Sequence, residues 1–242
     1  MSLKLCVIGD SWGTNNPDYW SYGFVDKSLK QKGHEVFNIS HAGASNFGQL
    51  LVLDYQVLQQ NKTNFDYIIW FHSEPARDFT EFISLDYGEE IDDSLGQTHF
   101  PELTFQDFFK DLEYINNQNY EYAQKLYNQY HIPFLVIGGA GKLNDSIKNF
   151  DFVHGQIPCW FQEILELYDN LSIPKNCYHH HVSLMCQGRS YNRQEVLQEI
   201  ELLDKLEDIM KNNQIIFPDS LHPAENLYTP MFDLLLNNIV TK

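Results

Sequence analysis

What most limits the fold of this chain is an alternation of short, almost wholly apolar runs with segments that carry a helical stripe. Residues 4–8 (KLCVI), 67–71 (YIIWF) and 133–137 (PFLVI) are apolar at nearly every position. Successive side chains of a strand point to opposite sides, so such a run belongs to a strand with water on neither face. Between the runs the pattern changes. Residues 19–32 read as a helix closed by Gly33 as its cap, and residues 35–40 (EVFNIS) alternate as a second strand. Asn46 is a good N-cap for a helix carrying Phe47, Leu50, Leu51 and Leu58, and a helical pattern fills residues 105–130. A stripe of Val196, Ile200, Leu203, Leu206 and Met210 predicts a helix over residues 194–211, then a fifth short strand over 215–217 and a last helix over 224–240. Parallel strands need crossover connections, and the helices in those crossovers cover both faces of the sheet. The expectation is an α/β fold, a three-layer α/β/α sandwich around a five-stranded parallel sheet, with residues 1–242 as one domain. Residues 75–104 and 141–193 exceed ordinary connections and read as insertions. Both leave the carboxyl ends of strands, where ligands of such sheets bind.

Sixteen basic residues against thirty-three acidic ones give a net charge of −17. Such a surface repels phosphate backbones and anionic membranes over about 10 Å at moderate salt, which argues against nucleic-acid and membrane partners. No stretch approaches the ~20 apolar residues of a membrane span. The first strand also begins too early for a signal-peptide core, so a soluble, cytoplasmic protein is expected. Cys6, Cys159, Cys177 and Cys186 form no C-x-x-C pair, and Cys6 sits in an apolar run that suits a reduced, buried thiol. His179-His180-His181, flanked by Cys177 and Cys186, has metal-ligand residue types without metal-ligand spacing. Adjacent histidines on an extended segment point to opposite faces, so no metal and no cofactor is expected.

Gly9-Asp10-Ser11-Trp12-Gly13 places a serine directly after the first strand, where backbone N–H groups can face developing negative charge. These are also ordinary turn residues. At the other end, Phe217-Pro218-Asp219-Ser220-Leu221-His222-Pro223 offers a carboxylate and an imidazole three residues apart in one loop. Asp219 can hold one ring nitrogen of His222 while the other takes a proton from Ser11.

A serine motif after strand one and D-x-x-H before the last helix resemble the first and fifth blocks of the SGNH (GDSL-like) hydrolases. Ala42-Gly43-Ala44-Ser45-Asn46, after strand two, is similar to that family's second block. The resemblance implies a flavodoxin-like fold, a Ser11–His222–Asp219 triad, and the N–H groups of Ser11 and Gly43 as oxyanion donors. It departs at the third block: where the family has G-x-N-D, this chain has His72-Ser73-Glu74-Pro75. Ser73 or His72 is then left to supply the missing donor, and losing one donor typically costs ~10²–10³ in rate. The G-x-S-x-G elbow of α/β-hydrolases also matches residues 9–13, but that elbow follows several earlier strands and its acid and histidine lie on separate loops.

Asp10, Trp12, Asn46, Glu74 and Arg77 are candidate substrate contacts. Trp12, Tyr19, Trp20 and Tyr22 suit either a pocket wall or the packing of the first helix, and Arg77 suits an acidic substrate group or a surface ion pair. The resemblance implies an acyl hydrolase acting on a small-molecule or carbohydrate ester, such as an O-acetyl sugar. A non-catalytic binding module and an acyltransferase are the alternatives on the same fold.

Overall fold

The computed structural model describes residues 2–14, 17, 21–60, 62, 64–73, 78, 105–139, 142–166, 214, 216–218, 222–237 and 239. Five strands, β1 (Lys4–Gly9), β2 (Glu35–Asn38), β3 (Tyr67–His72), β4 (Phe134–Gly138) and β5 (Val153–Ile157), form one parallel sheet in the order β2-β1-β3-β4-β5. Among the described residues the α-helices are α1 (Phe24–Gln31), α2 (Asn46–Val52), α3 (Phe105–Tyr130), α4 (Trp160–Glu166) and α5 (Glu225–Asn237). This is the strand order of the flavodoxin-like fold that the motif resemblance implies.

The strand period divides the core into two layers. Leu5 and Val7 of β1, Ile69 and Phe71 of β3, and Leu135 and Ile137 of β4 face α1, α4 and α5. Cys6 and Ile8, Ile68 and Trp70, and Phe134 and Val136 face α2 and α3. The central strands are therefore buried on both sides, which is why their runs lack polar interruptions. Burial pushes the Cys6 thiol up to about 12, so it stays protonated and inert in the native fold.

Three expectations need correction. The fifth strand is Val153–Ile157 (VHGQI), within the stretch 141–193 that reads as an insertion. It is an edge strand with His154 and Gln156 half-buried, so it carries no continuous apolar run. Ile216 and Phe217 are buried without joining the sheet: Ile216 accepts a hydrogen bond from Ala224 N–H, and the Phe217 ring packs 5.4 Å from Phe161. An apolar pair anchoring a turn thus looks like a short strand. Finally, the helix opened by Asn46 stops at Val52 and continues as a π-helical turn, Leu53–Leu58, where the buried Asp54 carboxylate accepts hydrogen bonds from Tyr122 and Gln59. Ser45, not Asn46, caps α2, its hydroxyl accepting from Gly48 N–H. Helix α1 starts only at Phe24, after Gly23 at φ +75°, and ends at Gln31, with Gly33 two residues beyond donating its N–H to Lys30 O. Residues 19, 20, 79–104 and 194–211 lie outside the described residues. No helix among the described residues is long and apolar enough to cross a membrane.

The carboxyl ends of β1 and β3 converge on glycine. Gly9 lies opposite Phe71 in the ladder at φ +140°, and a Cβ there would lie 2.5 Å from both the Cβ and the carbonyl oxygen of Phe71. Gly13 returns to the same residue, where a Cβ would lie 2.6 Å from the Phe71 ring. Gly9→Ala combines overpacking with a left-handed backbone and should lower stability by roughly 2–5 kcal/mol. Gly23→Ala has the same backbone handicap in open space and should cost about 1–2 kcal/mol. Urea midpoints of the two variants measure the difference.

Candidate active site

Strand order reverses between β1 and β3: the chain leaves β1 for β2 on one side, then returns to β3 on the other. Ligands of open α/β sheets bind in the crevice that this reversal opens at the carboxyl ends of the strands. Ser11 sits there, in a turn held from several directions. Gly13 N–H donates to Asp10 O at 3.1 Å, Trp12 N–H to the Asp10 carboxylate at 3.0 Å, and Asn38 Nδ2 to Gly13 O at 2.9 Å. The Ser21 hydroxyl donates to Ser11 O, and the Tyr228 hydroxyl donates to Trp12 O at 2.8 Å.

Two of the candidate substrate contacts act in holding this turn. Asp10 and Trp12 are each 3% exposed. The Asp10 carboxylate closes the turn, and the Trp12 indole lies in the core at 5.4 Å from Trp160, edge to face. Packing is the role of Trp12 here, while Tyr22 is exposed. Glu74, Arg77, Tyr19, Trp20 and the His179–His181 cluster lie outside the described residues.

His222 is buried three residues before α5, and α5 reaches the Ser11 turn through Tyr228. The Tyr228 ring packs 4.7 Å from Trp160, and its hydroxyl holds the carbonyl of the residue next to Ser11. The two ends of the chain are thereby tied to one turn. Asp219 lies outside the described residues.

The second block reaches the same edge. His41 N–H donates to Gly9 O at 3.0 Å, extending the β1–β2 ladder, and the chain then turns through Gly43 at φ +77°. Among the described residues, no hydrogen bond uses the N–H of Ser11 or of Gly43. Two backbone donors in flanking turns at one sheet edge are the parts from which an oxyanion site is built. A cleft of about 510 Å³ opens beside this turn, lined by Ile39, His41, Ala44 and Gln49 among others. Gln49 also accepts from Gly9 N–H at 3.2 Å.

The third block is occupied differently. Asn46, a candidate substrate contact, is 1% exposed and directs its amide inward: Nδ2 donates to Ser73 O at 2.9 Å, and Ser73 N–H donates to Asn46 Oδ1 at 2.8 Å. Nδ2 also donates to Asp78, whose carboxylate accepts in addition from Phe47 N–H and from Asn119 Nδ2. The backbone N–H of Ser73 is therefore engaged, and its buried hydroxyl has no hydrogen-bond partner among the described residues. The His72 ring lies in the layer under α3, 5.0 Å from Trp70 and 5.6 Å from Tyr120.

Sequence reading missed Asp78, Asn119 and Tyr228. A buried tyrosine on an apolar stripe needs a partner for its hydroxyl, so Tyr228 had a signal. Asp78 had none, because it falls in a stretch without periodicity. Tyr228→Phe keeps the ring contacts and leaves the buried Trp12 carbonyl without this donor, so it should destabilise by about 1–3 kcal/mol. A shift of the denaturant midpoint at constant slope checks this.

The chain matches no family model and no curated protein. Solved structures similar to it include the acetyl xylan esterase AlAXEase, at 14% identity and TM-score 0.41 over 98% of this chain and 100% of that one. Another is the lipase Lip_vut3 from a goat rumen metagenome, at 13% identity and TM-score 0.45 over 98% and 97% of the two chains. The acetylxylan esterase Axe2 from Geobacillus stearothermophilus is similar at 11% identity and TM-score 0.41 over 99% and 95%. These are likenesses of general chain course. The chemistry of this chain rests on its own residues at the carboxyl ends of β1, β2 and β3.

Proposed function

We propose that this protein is a serine-dependent ester hydrolase that works through an acyl-enzyme on Ser11. The observation that carries the reading is the pair of N–H groups, of Ser11 and Gly43, that no hydrogen bond among the described residues engages, at the strand-order reversal beside a serine in a rigidly held turn. In this mechanism His222 takes the Ser11 proton as Oγ attacks the ester carbonyl carbon, and the carbonyl electrons become an oxyanion facing the two N–H groups. Collapse breaks the ester C–O bond, and His222 returns its proton to the departing alcohol. Water, deprotonated by His222, then attacks the acyl carbon; the bond from that carbon to Ser11 Oγ breaks, His222 returns the proton to Oγ, and the acid leaves. Asp219 fixes the tautomer of His222.

With Ser73 N–H bound to Asn46, the hole rests on two backbone donors, so turnover should trail a three-donor site by ~10²–10³. The substrate class we propose is a small, uncharged O-acyl ester, with acetylated carbohydrates as the class the motif resemblance implies. A net charge of −17 disfavours anionic esters. The engaged third block also favours one rival, a binding module that retains the fold without turnover. Hydrolysis of p-nitrophenyl acetate separates the two. Wild type should turn over, and Ser11→Ala should fall by roughly 10³-fold or more. Equal rates for the two proteins overturn the assignment.

A further inference from the structure

Asp78 is fully buried, and its carboxylate is surrounded by donors from two helices. Phe47 N–H of α2 donates to Oδ1 at 2.7 Å, while Asn46 Nδ2 and Asn119 Nδ2, of α2 and α3, donate to Oδ2 at 2.9 and 3.0 Å. Removing a carboxylate from water is unfavourable by several kcal/mol unless hydrogen bonds replace the water, and N–H groups directed at an ionised oxygen do this best. This carboxylate thus orders the groups around it, above all Asn46. Held by Asp78, the Asn46 amide grips the backbone of Ser73 in both directions, at 2.9 and 2.8 Å. Asn46 lies three residues after Gly43, and Ser73 is the first residue after β3. One buried chain of bonds therefore sets the distance between the Gly43 turn and the end of β3.

We infer that Asp78 is a positioning residue that, acting through Asn46, fixes the Gly43 N–H in the geometry of an oxyanion donor. The inference rests on the ester-hydrolase reading above. An oxyanion donor contributes only when charge has formed on the substrate oxygen, so its misplacement lowers kcat and leaves substrate binding in place. A carboxylate that merely staples the fold would, on removal, disturb the cleft and the His222 loop as well.

The test is Asp78→Asn, nearly isosteric, which turns one of the two acceptor oxygens into a donor among donors. Wild type and Ser11→Ala are assayed first on p-nitrophenyl acetate. If they do not differ, the hydrolase reading itself has failed. If wild type shows Ser11-dependent turnover, Asp78→Asn, assayed below its melting temperature, should lose about 10- to 100-fold in kcat with KM within about threefold of wild type. The acid limb of its kcat/KM profile should stay where wild type has it, because His222 is untouched. Retention of kcat within about twofold overturns the inference. So does a loss in which KM rises tenfold or the acid limb moves, since either marks general loosening. Should Asp78→Asn fail to fold, Asn119→Ala removes a single bond to the same carboxylate. A several-fold loss of kcat at constant KM then supports the inference, and unchanged kcat overturns it.

Discussion

The carboxyl edge of the sheet, where Ser11 sits, depends on the close approach of β1 to Phe71. Gly9 faces Phe71 across the ladder and Gly13 folds back onto the same side chain, each where a Cβ would collide. The three residues between them, Asp10, Ser11 and Trp12, can only form a tight turn directly above the sheet edge. The G-x-S-x-G spacing is therefore a packing requirement as much as a chemical signature. A serine placed there is presented at the reversal of strand order because the glycines beside it let two strands converge.

From that point the site is supported by two separate sets of contacts, one on each face of the sheet. On one face, Trp12, Trp160 and Tyr228 join the Ser11 turn to α5, and so to the loop that carries His222. On the other, Asp78 and Asn46 join the Gly43 turn to the end of β3. The first is mainly aromatic packing with one hydrogen bond, and the second is entirely polar. The loop of His222 and the turn of Gly43 thus have different structural supports that meet only in β1 and β3. Changes in the two should combine nearly additively in stability, since they share no partners.

How much of this was legible in the sequence follows from burial. Strands β1, β3 and β4 could be read because both faces are covered, and an unbroken apolar run is the direct trace of that. The Gly33 helix end could be read because a left-handed cap favours glycine. Strand β5 could not, since an edge strand with His154 and Gln156 resembles a loop, and Ile216–Phe217 misled because a turn can bury apolar residues as thoroughly as a sheet. Ser11 and Gly43 were read from motif and strand position, and the structure places each in a turn after β1 and β2; the departure at residues 72–75 was visible as a missing asparagine. What took its place was not visible: Asn46 looked like a residue facing substrate, and its inward-turned amide depends on Asp78, which no local pattern announces.

The central claim, that Ser11 is an activated nucleophile, is tested most directly by mapping where an electrophile reacts. The protein is incubated with an uncharged alkyl fluorophosphonate, then digested and analysed by peptide mass spectrometry. The account predicts one adduct per chain, on the peptide containing Gly9-Asp10-Ser11, and its loss in His222→Ala. An adduct on another residue, or no adduct on a protein that still hydrolyses esters, would contradict it.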